Sequence, residues 1–178
     1  WVTGLSRTVS AGTNRCLVVI YSQENGTTRQ DISTMTYGGR AMTQVTEFVV
    51  GGGASFSGTI ELWTLLEADL ALAVGNVIVP TYGAATQTEF CETFSSAVFQ
   101  HVDQVVAVSD ARTSGAQAGT NPHQLGSALT TLDGSMAVNA VMCGNNTTPA
   151  ITNGGTDTYT INSGYTEGTD IYYANTVV

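Results

Sequence analysis

The chain has 178 residues, enough for one domain that hides about 70% of its unfolded surface without help from a metal or a disulfide. Hydrophobic residues make up 42% and charged residues only 11%, so Thr, Ser, Asn, Gln and Gly must cover the surface. The net charge is −9 and the five basic residues are all arginine (Arg7, Arg15, Arg29, Arg40, Arg112), scattered along the chain. That pattern argues against a nucleic acid or an anionic membrane surface as partner, and the absence of lysine excludes Schiff-base chemistry and a Lys–Asn isopeptide crosslink.

In chain order, "RCLVVIYS" is a short, β-branched apolar run and predicts a central strand with two apolar faces. Asn25-Gly26 is a hairpin signal, and "DISTMTY" returns as an alternating strand. Gly38-Gly39 turns the chain into "AMTQVTEFVV". Glycine there predicts at least one position with φ > 0. The corner reads as a device that re-aims two strands of one sheet, with a ligand loop as the alternative. Gly51-Gly52-Gly53 reads as a loop, and "GTIELWTLL" as a strand carrying Trp63. "LLEADLALAV" predicts a single helical turn. "GNVIVPTY" is a strand in which Pro80 predicts an edge position or a strand end.

"FCETFSS" and "AVFQHVDQVVAVSDA" predict two further strands, and residues 114–124 a long loop. "SMAVNAVMCG", "YTINSGY" and "DIYYANTVV" complete the set. About ten strands at short spacing predict an all-β, antiparallel β-sandwich, jelly-roll-like, in one domain over residues 1–178. The longest apolar run, residues 62–79, is broken by Glu67, Asp69 and Asn76 and does not read as a membrane span. A chain opening on Trp1 instead of methionine fits removal of a signal peptide, and equally a longer parent.

Residues with chemical potential are few. His101 and Asp103 are two apart, so on a strand they would share a face and could form a metal or acid/base pair; a satisfied polar pair on the outer face is the plainer expectation. His123 follows Pro122 in a predicted loop. Paired carboxylates for glycoside hydrolysis could come from any of the fourteen acids; Glu61 and Glu92 lie on strand-like segments, yet nothing in the sequence singles them out. No nucleophile elbow, zinc-protease motif, P-loop or dinucleotide fingerprint occurs. "TNGGTDT" and "YTEGTD" offer loop oxygens of the kind calcium takes, and a plain solvated loop explains them as well. Asn25, Asn145 and Asn146 open N-x-[ST] sequons. Tyr159, Tyr165, Tyr172 and Tyr173 form either a sugar platform or ordinary core and interface filling. Three cysteines allow one disulfide, with Cys91 and Cys143 as the candidate pair, plus a free thiol; three buried thiols are the alternative.

Taken together, Asn14-Arg15, Thr36-Tyr37-Gly38-Gly39 with Met42-Thr43, Glu61 with Trp63 and Leu65, and Val102-Asp103-Gln104 follow the order of motifs N-R-x-L, T-Y-G-G, E-x-W-x-L and V-D-Q. In this the chain resembles a β-sandwich module of secreted and cell-surface bacterial proteins and of some phage structural proteins. The likeness spans roughly the first 110 residues. It implies a jelly-roll-like sandwich with a structural or adhesive role and no catalytic centre. Such modules continue with one more strand after the region of "IYYANTVV"; without it, a sheet would be open to completion by a neighbour's segment.

The expectation is a non-enzymatic, cofactor-free structural subunit, extracellular or at the cell surface. Its partners would be copies of itself, in a filament, sheath or layer joined by β-edge and apolar contacts. A virion decoration or fibre protein and a carbohydrate-binding adhesion module that takes a surface glycan are the alternatives. No membrane insertion is expected.

Overall fold

The computed structural model describes residues 3–25, 31–51, 57–83, 89–113, 130, 135–143, 159–161 and 168–175. They form β1 (Leu5–Ser6), β2 (Cys16–Asn25), β3 (Ile32–Tyr37), β4 (Arg40–Ala41), β5 (Thr43–Gly51), β6 (Ser57–Leu66), the helical turn α1 (Glu67–Leu70), β7 (Val77–Tyr82), β8 (Glu89–Phe99), β9 (Met136–Cys143), β10 (Tyr159–Ile161) and β11 (Gly168–Asn175). Every pairing among them is antiparallel. The all-β expectation holds, and the one short helix falls within "LLEADLALAV".

The strands make three sheets, ordered β1-β7-β3-β4, β5-β6-β2-β8 and β10-β11-β9. The first two face each other across a shared core. Leu17, Val19 and Tyr21 of β2 with Trp63 and Leu65 of β6 meet Ile32, Met35 and Tyr37 of β3 and Ile78 of β7. The opposite face of β2 (Cys16, Val18, Ile20) packs with Ile60, Leu62, Leu66 and Ala97, and Val138 and Ala140 of β9 cover it. This is why "RCLVVIYS" lacks alternation: Cys16 to Gln23 are all buried, because both faces of the strand are covered.

The Gly38-Gly39 corner connects β3 to β4 as a two-residue hairpin, with Tyr37 opposite Arg40. Both glycines have positive φ, +53° and +78°, the conformation that matches the twist of the flanking strands. A Cβ on Gly38 would sit 2.8 Å from Ala73 Cβ and 3.0 Å from Gly75 O. The corner therefore serves strand reversal and close packing. Two residues later the chain leaves the first sheet and starts β5 in the second.

Pro80 pairs with Met35 on one side, while β1 reaches only Val77 and Ile78 on the other. Its missing N–H thus falls where β7 has become an edge, as the sequence predicts.

Two expected strands are one. "FCETFSS" and the start of "AVFQHVDQVVAVSDA" merge into β8, which ends at Phe99, and residues 100–113 run irregularly. Side chains replace the ladder there: Asp103 Oδ1 accepts from the N–H groups of Val105 (2.7 Å) and Val106 (3.0 Å), a local bond that favours a turn.

Candidate functional site

Two of the residues singled out in the sequence, Arg15 and Gln104, meet at Glu67 of α1. Arg15 donates to Glu67 through Nε (2.8 Å), Nη2 (2.5 Å) and its backbone N–H (2.9 Å). Gln104 accepts from the Glu67 N–H at 2.9 Å and donates to Val102 O at 2.9 Å. Val102 N–H donates to Asn14 O, and His101 N–H to Thr13 O, which extends the β2–β8 pairing beyond its last strand residues. Arg40 pairs with Asp69 at 2.5 Å, and Tyr37 Oη donates to Arg7 O. The bonds from Arg15, first its side chain and then its backbone N–H, hold the Glu67 carboxyl down at about 2. The bonds among Arg15, Glu67, Gln104 and Val102 fasten the start of β2 and the segment after β8 to α1.

His101 and Asp103 do not form the pair that a strand would have made. His101 adopts φ +60°, its Nδ1 lies 3.5 Å from Thr13 Oγ1, and Asp103 is engaged with Val105 and Val106. Among the described residues no group of three or more His, Cys, Asp or Glu could hold a metal ion. No helix among them is long and apolar enough to cross a membrane.

Glu61 and Glu92 lie away from α1, on the two strands that flank β2 and one row apart. By register, Glu47, Glu61, Tyr21 and Phe94 form one row across the inner face, and Val49, Thr59, Gln23 and Glu92 the next. Glu61 is fully buried. It accepts from the Ile32 N–H (2.8 Å), Trp63 Nε1 (2.9 Å) and Gln44 Nε2 (3.3 Å). Burial pushes its carboxyl up to about 7 despite the Ile32 and Trp63 bonds, and the charges of Glu47 and Asp31 add to the rise. Glu92 accepts from Tyr82 Oη of the facing sheet. The sequence held a signal for Glu61: Thr59, Glu61, Trp63 and Leu65 share one strand parity, so an acid at that phase points inward.

Cys16 is a free, buried thiol, and burial pushes it up to about 11, which makes it inert. The side chains of Cys91, Cys143 and Asn25, the calcium-type loops, His123, the sequons Asn145 and Asn146 and the tyrosine side chains of 159, 165, 172 and 173 lie outside what the structure describes.

The surface offers a different kind of site. Residues 105–111 curl against the starts of β5 and the end of β6 and enclose an open groove of about 520 Å³. Val105, Val106 and Val108 line it with Val45 and Leu65, and the two carboxylates on its walls belong to Asp69 and Asp110, each already paired with an arginine. Val105 is 91% exposed and Val74 88%. The groove adjoins β5, which among the described strands is a nine-residue edge of the second sheet.

No family model, curated protein or solved structure matches the chain at a significant level.

Proposed function

We propose that this protein is a non-enzymatic structural subunit, a jelly-roll-like β-sandwich that self-associates at the cell surface or outside the cell through a strand edge and the apolar groove beside it. The observation that carries the reading is the contrast in edge protection. The first sheet ends in two-residue strands, β1 and β4, a common way of blunting an edge. Among the described strands the second sheet ends in β5 and β8, of nine and eleven residues, and β5 carries one charged residue, Glu47. A long edge with so little charge is a template for another strand, and the exposed valines at its start offer apolar area for the same contact.

Light scattering and negative-stain microscopy of the purified protein over a range of concentrations test this. Filaments, sheets or closed oligomers are the expected result. A monodisperse monomer at high concentration overturns the reading. Particles attached to capsids would instead favour the virion decoration or fibre alternative.

A further inference from the structure

We propose that the apolar groove receives the turn that follows α1, residues 71–75, from a second copy of this chain, with Leu72 and Val74 as the inserted side chains. The inference rests on the self-association proposed above and names what fills the groove.

The turn presents apolar side chains on a fixed backbone. The N–H groups of Ala71, Leu72 and Ala73 donate to Glu67 O, Asp69 O and Leu70 O at 2.8, 3.1 and 3.4 Å, and Val74 N–H donates to Gly38 O at 2.8 Å. Ala73 packs against the core, and Gly75, with φ +93°, turns the chain towards β7. Between these anchors Leu72 is 61% exposed and Val74 88%. Neither lines the groove of its own chain. An apolar side chain on a backbone already ordered pays little further entropy on binding, which is the property of an interface anchor.

The groove matches such a turn in chemistry. Val45, Leu65, Val105, Val106 and Val108 supply its apolar lining. Its two carboxylates, Asp69 and Asp110, are each held by an arginine, Arg40 at 2.5 Å and Arg112 at 3.1 Å. The walls therefore meet an incoming group with neutral pairs.

Charge selects the occupant. The chain carries −9, so copies that approach each other repel, and an acidic segment set against Asp69 and Asp110 adds to the repulsion. Residues 70–77, "LALAVGNV", hold no charged side chain. They bring apolar area to the groove without a like charge. A protrusion on one molecule that fits a pocket elsewhere on its copy makes a heterologous contact, the kind that joins copies in series.

A mixing experiment by analytical ultracentrifugation tests the contact. One variant loses the turn's side chains (Leu72→Ser with Val74→Ser), and the other loses the groove's (Val105→Ser with Val106→Ser). All four residues are exposed, so both variants should unfold at the native temperature. Each alone should associate on the order of tenfold more weakly than the native chain. Mixed in equal amounts they should associate more strongly than either alone, because an intact turn then meets an intact groove. A turn variant that associates like the native chain overturns the inference and leaves the self-association reading standing. So does a mixture no stronger than its components. A native chain that stays monomeric at high concentration overturns both.

Discussion

The two ends of the inter-sheet layer handle charge in opposite ways. At the α1 end each acid has an arginine: Glu67 has Arg15 and Asp69 has Arg40, with Gln104 and Gly38 locking the chain around them. At the other end Glu61 is fully buried, opposite Glu47 in the register, and accepts from Ile32 N–H, Trp63 Nε1 and Gln44 Nε2. A carboxylate is held by an arginine on the partly exposed turn in one place and by neutral N–H donors in a fully buried site in the other. For Glu67 the arginine lowers the carboxyl, and for Glu61 burial raises it against neutral donors.

Removing the core residue that donates to Glu61 should have the largest effect. Trp63 packs in the core and donates to Glu61. Trp63→Ala should cost about 3–5 kcal/mol in urea unfolding, from lost packing and a cavity, with part of the loss from the missing donor. A cost under about 1 kcal/mol would mean that the core does not depend on this side chain.

The pH dependence should separate the ends. Glu61 is raised in the folded state, so the native chain holds a proton between about 4.5 and about 7 that the unfolded chain has released. Stability should therefore fall as pH rises through that window, by up to about 3 kcal/mol, and stay low above it. Glu67 is depressed to about 2, so its contribution is full above its ordinary value of 4.5 and lost as pH falls from there towards 2. Urea midpoints against pH should show both limbs. Glu61→Gln should remove the upper one and Glu67→Gln the lower one, and a variant that moves the wrong limb would refute the assignment.

The glycine corner gives a smaller, paired effect. Gly38→Ala adds a clash with Ala73 to an unfavourable φ and should cost about 2 kcal/mol or more in thermal unfolding. Gly39→Ala meets no atom within 4 Å and should cost about 1 kcal/mol from its φ alone. Equal costs would show that the approach of Ala73 does not matter.

Least stability change is expected from Val105→Ser combined with Val106→Ser, within about 0.5 kcal/mol, since both side chains already face solvent. If the groove is the interface, the same pair should weaken self-association, read by light scattering. Unchanged association would place the contact elsewhere.

Much of the fold was legible in the sequence because strands announce themselves locally. The β-branched run of β2, the glycine corner and the one helical turn all appeared where local pattern put them. The irregular course after Phe99 did not, because valines at 102, 105, 106 and 108 suit a strand, while Asp103 and Gln104 spend their side chains on backbone groups that a ladder would have used. For the same reason His101 and Asp103 were not on one face. Glu61 carried a readable sign in its parity, but the like charges beside it come from strands distant in sequence.

The sequence by itself determined the class of structure: period-two patterning, little charge and glycine-punctuated turns admit antiparallel sheets and little else. Only the tertiary structure decided which acids met an arginine and which met one another. Pairing across sheets depends on register and on how the faces stack. In this chain Arg15 and Glu67 are 52 positions apart, and Ile32 and Glu61 are 29. Local propensity acts over a few residues and carries no information at such separations.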